Sequence, residues 1–525
     1  MISEIKQKIV DRGMQVLNSP RLMRVLSDDR LAKAAQTVMD ARGRVKAAWN
    51  VLLSGHDLPT IDASLDDSAG EDVTRDSPGP KRRRGNGAAA ARVVTEEADR
   101  ESVTEAQESS DMSESLRSRS SLAAIGGKDV LEKCFLYKTS DQARKRGLYP
   151  YFRPLDYNDG PTAVIEGKRV VMFGSNNYLG LTTHPKVREA AREAINRYGT
   201  SMTGSRLVNG SAKIHEELEA KLAAFFGKES ALTFTTGYQV NLATCAALLS
   251  NKKTVAVIDR NVHASLYDGV RLGQAAGARM VRFKHADPEA LDRALERLEP
   301  DEGALVITDG VFSAEGEIAK LDQIVPVVKK HGARLFVDDA HALGVIGPSG
   351  RGSAHHFGLS DQIDLYGGTF SKSLASIGGW LVGERKVLDY IRTFAPSFLF
   401  AASAAPPCVA AAMTALEVMQ EEPWRQEKLR ENFTYMRDQL RNMGFDLGTT
   451  ETAVIPIYVR QDLRTIMMWK DLLEEHGVYV NPFIQPGVPP KHQMLRTSYM
   501  ATHEREHLDR GLEAFYKVGK KYGVI

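Results

Sequence analysis

The chain has 525 residues, more than one domain's worth, and its 69 basic and 67 acidic side chains leave a formal net charge of +2. That balance argues against a general nucleic-acid binder, and Cys134, Cys245 and Cys408 share neither a metal-ligand spacing nor a disulfide framework. No apolar run approaches the ~20 residues needed to span a bilayer, and the segment from Met1 to Lys6 opens no signal-peptide core, so a soluble cytoplasmic protein is expected.

Residues 1–57 are expected to form a helical extension. Ile5, Ile9, Val10, Met14 and Leu17 recur at helical spacing up to Asn18-Ser19-Pro20. A second stripe runs through Leu31, Ala35, Val38, Val45, Trp49 and Leu52 after a capping Asp28 or Asp29. Arg42, Arg44 and Lys46 leave room for peripheral contact with the inner membrane face, although a solvated face is the preferred reading. Residues 58–125 read as a disordered linker: Asp, Ser, Gly, Glu and Ala dominate, aromatic residues are absent, and too little apolar area is present to offset ordering entropy. The run Lys81-Arg82-Arg83-Arg84 within it is read as a solvated charge run, with a localisation signal or an anionic-lipid contact as alternatives.

Beyond the linker the chain becomes globular, with an arm at 126–180, a large domain at 181–399 and a small C-terminal α/β domain at 400–525. Strands are expected at 231–234, 255–258, 280–283, 304–307, 335–337 and 380–382, and helices at 185–198, 214–226, 288–298, 321–331 and 407–420. Such alternation implies an α/β fold with a mainly parallel sheet covered by helices, and ligands in these sheets sit beyond the carboxyl ends of the strands.

Chemistry concentrates at those ends. The apolar run Leu335-Phe336-Val337 stops in Asp338-Asp339-Ala340-His341, and a hydroxyl-rich turn, Gly367-Gly368-Thr369-Phe370-Ser371-Lys372-Ser373, follows. An acid at a strand end and a lysine between hydroxyls and glycines are what a pyridoxal phosphate site needs: a Schiff-base lysine, an acid for the pyridinium nitrogen, and donors for the phosphate. Three further segments fit around the same cofactor. Thr235-Thr236-Gly237-Tyr238 closes a strand and opens a helix at Val240, so its N–H groups can hold the phosphate. Val262-His263-Ala264-Ser265 offers an imidazole to stack on the ring, and Asp309-Gly310-Val311-Phe312-Ser313 offers a hydroxyl.

These segments, in this order, resemble the α-oxoamine synthases, pyridoxal phosphate enzymes of the aspartate-aminotransferase superfamily. The resemblance also takes in Ser175-Asn176-Asn177-Tyr178-Leu179-Gly180, Thr203-Gly204-Ser205-Arg206-Leu207-Val208-Asn209-Gly210, Ile214-His215-Glu216-Glu217-Leu218-Glu219 and Met494-Leu495-Arg496-Thr497-Ser498-Tyr499. It implies fold type I, with a seven-stranded large-domain sheet. It implies that Lys372 holds the cofactor and moves the substrate Cα proton, that Asp338 pairs with the pyridine nitrogen, and that His263 stacks on the ring. It implies that His341 and Ser313 contact the ring hydroxyl. Thr369 and Ser371 contact the phosphate, together with the backbone at Thr236, Gly237 and Tyr238. Arg496 takes the amino-acid carboxylate, with Asn177 a weaker candidate for the same end. His215 is read as structural, Arg206 as ordering the glycine-rich loop at a subunit contact, and His503 as a packing or capping residue.

The implied reaction is a decarboxylative condensation of an amino acid with an acyl thioester in a homodimer, with no metal. Thr369-Phe370-Ser371-Lys372 most resembles the serine palmitoyltransferase branch, which would join L-serine to a long-chain acyl thioester on coenzyme A or a carrier protein. The alternatives are an alanine-using 8-amino-7-oxononanoate synthase, a glycine-using synthase, and a non-catalytic partner or regulator of the same fold. Two departures stand out. Pro482-Phe483-Ile484-Gln485-Pro486 has no arginine where some bacterial palmitoyltransferases carry a mobile one. Phe398-Leu399-Phe400-Ala401-Ala402-Ser403 resembles a strand that sends a hydroxyl to the partner's phosphate, yet only Ser403 offers one.

Overall fold

The computed structural model describes residues 129–525. The expected helices of residues 1–57, the linker 58–125 and its basic run lie outside the described residues. The first strands, β1 (Tyr157–Asn158), β2 (Thr162–Ile165) and β3 (Lys168–Met172), form an antiparallel meander. The β2–β3 turn is Glu166-Gly167, both at positive φ (51° and 73°), the geometry that a two-residue hairpin with right-handed twist demands.

A seven-stranded sheet follows, built from β4 (Ser230–Phe234), β5 (Thr254–Asp259), β6 (Arg279–Phe283), β7 (Gly303–Asp309), β8 (Arg334–Asp338), β9 (Leu365–Thr369) and β10 (Gly379–Gly383). The spatial order is β4-β10-β9-β8-β7-β5-β6. Strands β9, β8, β7, β5 and β6 run parallel, and β10 is antiparallel to both its neighbours. Val255–Ile258 and Leu335–Val337 are wholly buried, because helices cover both faces. The parallel direction brings Asp259, Asp309 and Asp338 to one edge, and Asp309 and Asp338 are direct register partners.

All six expected strands fall inside observed ones, and the helices Pro185–Tyr198, Lys213–Phe226, Pro288–Glu296, Leu321–Lys330 and Pro406–Glu421 match expectation to within two residues. Three readings are corrected. The first half of the hydroxyl-rich turn is strand β9. Its glycines hide the strand signal and are required by packing: a Cβ on Gly368 would lie 2.7 Å from the indole of its cross-strand partner Trp380. The helix after β4 begins at Gly237 rather than Val240. Phe398 belongs to a short helix, Pro396–Leu399, and only the isolated bridge Ser205–Ala402 follows it.

The C-terminal strands are β11 (Val454–Tyr458), β12 (Val478–Tyr479), β13 (Asn481–Phe483) and β14 (Met494–Ser498). They form an antiparallel three-stranded sheet, β11-β14-β13, while β12 adds in parallel to β3. Beyond that seam, Ser498 N donates to Phe173 O and Ala501 N to Tyr178 O, so residues 173–178 are fastened to the C-terminal sheet. Among the described residues no helix is long and apolar enough to cross a membrane.

Candidate active site

A cavity of about 180 Å³ lies beyond the carboxyl edge of the large sheet. Its walls come from the N-termini of helices Gly237–Leu248 and Ala264–Ala275, the ends of β7, β8 and β9, and the turn holding Lys372. Burial pushes the Lys372 amine down to about 7, against the opposing pull of Asp338 and Asp309 and with a further lowering from Arg496. Asp338 Oδ2 accepts from Asn241 Nδ2 (2.6 Å) and Oδ1 from Ala340 N (2.9 Å). Its strand partner Asp309 is buried and held well above the carboxylate range, first by burial and then by the charge of Asp338; it accepts from His263 N (3.2 Å).

His263 caps its helix, with Nδ1 2.7 Å from Ser265 Oγ, and its ring opens into the cavity. Burial by the surrounding walls outweighs the attraction of Asp338 and lowers its pKa. His341 is pushed well below the imidazole range by burial, then by Lys372 and Arg496, and lies 2.6 Å through Nδ1 from the buried Tyr178 hydroxyl.

Thr369 Oγ1 lies 2.8 Å from Ser371 Oγ and donates to Gly378 O. Opposite stands the start of helix Gly237–Leu248. A Cβ on Gly237 would lie 2.6 Å from Thr369 Cβ, so glycine lets the helix dipole and its free N–H groups face this hydroxyl pair. Thr236 caps that helix by accepting from Gln239 N (3.1 Å), and its side chain does not line the cavity. Tyr238 lines it, while its hydroxyl donates to Asp268.

Arg496 reaches the region from the middle of β14. Nε donates to Ser313 O (2.7 Å), and Nη1 to Asn176 Oδ1 (2.9 Å) and Ser498 Oγ (2.8 Å). Ser313 therefore bears on the site through its carbonyl, and its side chain does not line the cavity. The Asn177 amide is turned away and donates to Thr182 (2.8 Å); its neighbour Asn176 takes the place next to Arg496.

The residues read as structural occupy such places. Arg206 makes a two-point pair with Glu219 and bonds Thr233 and Ser211. His215 is buried, 2.8 Å from Ala404 O, and His503 accepts from Met500 N at a buried bend. Ser403 Oγ is buried without a hydrogen-bond partner.

Four contributors escaped the sequence reading: Asn241, Ser265, Tyr178 and Asn176. Asn241 had one available signal, since it stands four residues after Gly237 on the same helix face. Asn176 and Tyr178 lie within a quoted motif, but no periodicity there tells which side chains turn inward.

A larger groove, about 1100 Å³, runs between residues 137–152 and 479–487, with Tyr149, Phe152 and Ile466 among its apolar walls. The arginine-free segment 482–486 lines it. Phe483 is shared: its ring lines the groove and lies 6.0 Å from the Arg496 guanidinium carbon.

Residues 168–515 match the family described as aminotransferase class I and II. The chain belongs to this family. Within it, the chain is 43% identical over 390 residues to a serine palmitoyltransferase of Sphingobacterium spiritivorum, covering 74% of this chain and 96% of that protein. It is 39% identical over 392 residues to an 8-amino-7-oxononanoate synthase of Thermoanaerobacter pseudethanolicus, covering 74% and 98%. A solved structure of SPT with a PLP internal aldimine superposes with a TM-score of 0.73 at 36% identity, over 76% of this chain and 100% of that one. Both relatives fall in the α-oxoamine synthase branch that the motifs resemble, and the large-sheet architecture is that of fold type I.

Proposed function

We propose that this chain is a pyridoxal-phosphate-dependent acyltransferase that condenses L-serine with a long-chain acyl thioester, releasing carbon dioxide and giving 3-ketosphinganine. The observation that carries the reading is one cavity joining a buried lysine of lowered pKa to a strand-end carboxylate, with an arginine of neutral partners near enough to lower that lysine further.

The residues fit the cofactor. Gly237 lets the helix N-terminus come close beside Thr369, since a Cβ there would lie 2.6 Å from Thr369 Cβ, so N–H groups and hydroxyls stand together. Asn241 Oδ1, on the cavity wall, is buried without a partner. Thr369, Ser371 and the N–H groups of Gly237 and Tyr238 would hold the phosphate, Asp338 the ring nitrogen, His263 the ring face, His341 the ring hydroxyl and Lys372 the aldehyde carbon. When bound, the group supplies an electron sink for negative charge at the amino-acid α-carbon.

The chain's own residues do the rest. Lys372 Nζ, with a pKa near neutrality, takes and returns the Cα proton at low cost in either direction. Asn241 and the Ala340 N–H fix the Asp338 carboxylate so that it faces the ring edge. The guanidinium of Arg496, whose partners here are all uncharged, meets the substrate carboxylate. The groove sharing Phe483, with Tyr149, Phe152, Ile466 and Ile484 among its walls, is the space proposed for the acyl chain. Leu207 and Val208, 57% and 70% exposed in the glycine-rich loop, suit burial against a second copy in a homodimer.

The test is spectral titration of the holoenzyme with serine, alanine and glycine, followed by mass spectrometry of the product made with palmitoyl-CoA. The proposal expects saturation by serine and an 18-carbon amino ketone. Turnover with alanine alone would assign the 8-amino-7-oxononanoate synthase reaction instead.

A further inference from the structure

Outside the cavity lies a half-buried charge cluster to which the reaction assigns no part. Its centre is His285, just past β6. Nδ1 lies 3.0 Å from Asp259 at the end of β5, and Nε2 lies 3.2 Å from Glu317. The ring packs edge-on against Phe312, with centroids 4.3 Å apart. Glu317 also accepts from the Thr449 hydroxyl, and Asn261 holds the adjacent Glu315 (3.0 Å).

These groups grip one short loop. Val311 and Ile318 bridge its base, Phe312 N donates to Glu317 O, and Gly316 N to Phe312 O. Gly316 sits at φ 70°, and its carbonyl accepts from Glu451 N (3.2 Å) and Thr452 Oγ1 (3.0 Å). A Cβ there would collide with the Val454 carbonyl, so the loop is seated directly against the entry to β11. The same loop presents Ser313 O to Arg496 Nε. The loop is thus held at one end by an imidazole between two carboxylates, and its free carbonyl sets one edge of the guanidinium.

We infer that His285 is a positioning residue for amino-acid binding: by bridging Asp259 and Glu317 it locks the 311–318 loop, and through Ser313 O it fixes the plane in which Arg496 meets the substrate carboxylate. The inference rests on the reading of Arg496 as the carboxylate partner. A planar fork is useful only when aimed, and a small misplacement of a positioning group is felt as a large loss in binding or rate.

The test compares H285Q, R496K and the double variant as holoenzymes, reading KM for the amino acid and kcat at saturating acyl thioester, with thermal melts to verify folding. H285Q is expected to raise KM about tenfold with kcat within about twofold. In the R496K background the same change is expected to add less than twofold, because its route has already been removed. E317Q, which keeps its acceptor for Thr449, is the second variant should H285Q fold poorly, and is expected to shift KM in the same direction. Unchanged KM in both H285Q and E317Q, a fall in kcat alone, or effects that multiply in the double variant would each overturn the inference while leaving the Arg496 assignment standing. An unchanged KM in R496K would overturn that assignment and the inference with it.

Discussion

The two sheets that meet at the site handle charge in opposite ways. The large sheet crowds ionisable groups together: Asp259, Asp309 and Asp338 end adjacent strands, with Lys372, His263 and His341 above them, and burial moves the amine, the imidazoles and Asp309 toward their neutral forms. The small sheet delivers one cation, Arg496, and surrounds its Nε and Nη1 with a carbonyl, an amide and a hydroxyl. Crowding tunes proton transfer, because pKa values can be balanced against one another. Isolation preserves a full charge for an incoming anion. On the proposed function, the crowded half does the chemistry and the isolated half does the selection.

Breaking the crowded side should cost most. Lys372→Ala is expected to abolish the absorption band of the lysine–cofactor Schiff base and to lower kcat by roughly 10⁴-fold, the upper range for a lost proton-transfer group. With the native lysine, cofactor capture by the cofactor-free protein should speed up as pH rises through about 7, because the neutral amine is the nucleophile. Stopped-flow absorbance from pH 6 to 9 measures this, and a flat profile would contradict the lowered pKa.

On the isolated side, Arg496→Met should raise the amino-acid KM by about 10- to 100-fold, the equivalent of a hydrogen bond to a charged group, and leave the resting absorption band intact. An altered band would show that the two halves are not separable in this way.

A gentler break falls between the halves of the cofactor cradle. Gly237→Ala places a methyl group against Thr369 and is expected to weaken cofactor retention about tenfold, by overpacking of about 1–3 kcal/mol. Equilibrium dialysis reads it, and retention equal to the parent would remove the cradle from the argument.

The smallest effect concerns the His285 cluster at the same edge of the large sheet. Asp259 and Glu317, with Glu315 nearby, outweigh burial and raise His285 to about 10. The unfolded imidazole titrates near 6.5, so the folded state holds the proton more tightly. Its stabilisation is complete below about pH 6.5 and declines as pH rises toward 10. H285Q should flatten the loss of melting temperature over that interval, measured against the parent chain.

The parts legible in the sequence were those where one-dimensional order carries the physics. Buried parallel strands read as apolar runs, so their terminal acids stood out. Lys372 was marked by its hydroxyl neighbours, and Arg496 by the motif around it. Other parts depend on packing that no period encodes. Strand β9 was hidden because its two glycines make room for packed side chains, Gly368 for the Trp380 indole and Gly367 for Phe336 and Val240. Asn241 looked like any polar helix residue until the crossing of helix and sheet placed it over Asp338. The choice between Asn176 and Asn177 turned on side-chain direction in an irregular segment, where neither a 2- nor a 3.6-residue repeat applies. The Ser313 hydroxyl drew attention although its carbonyl makes the contact, since backbone acceptors are invisible to residue type.

The seam between β3 and β12 bears on how the chain is made. Asn176 and Tyr178 are synthesised early, yet the strand that anchors their segment lies some 300 residues later. Elongation from Lys372 to Arg496 takes roughly 6–25 s at ~5–20 residues per second. During that interval the strands that carry Asp338 and lead to Lys372 have been synthesised and Arg496 has not. A ribosome-bound chain stalled just short of Arg496, with Lys372 and Gly383 clear of the exit tunnel, is expected to take up the cofactor without discriminating among amino acids.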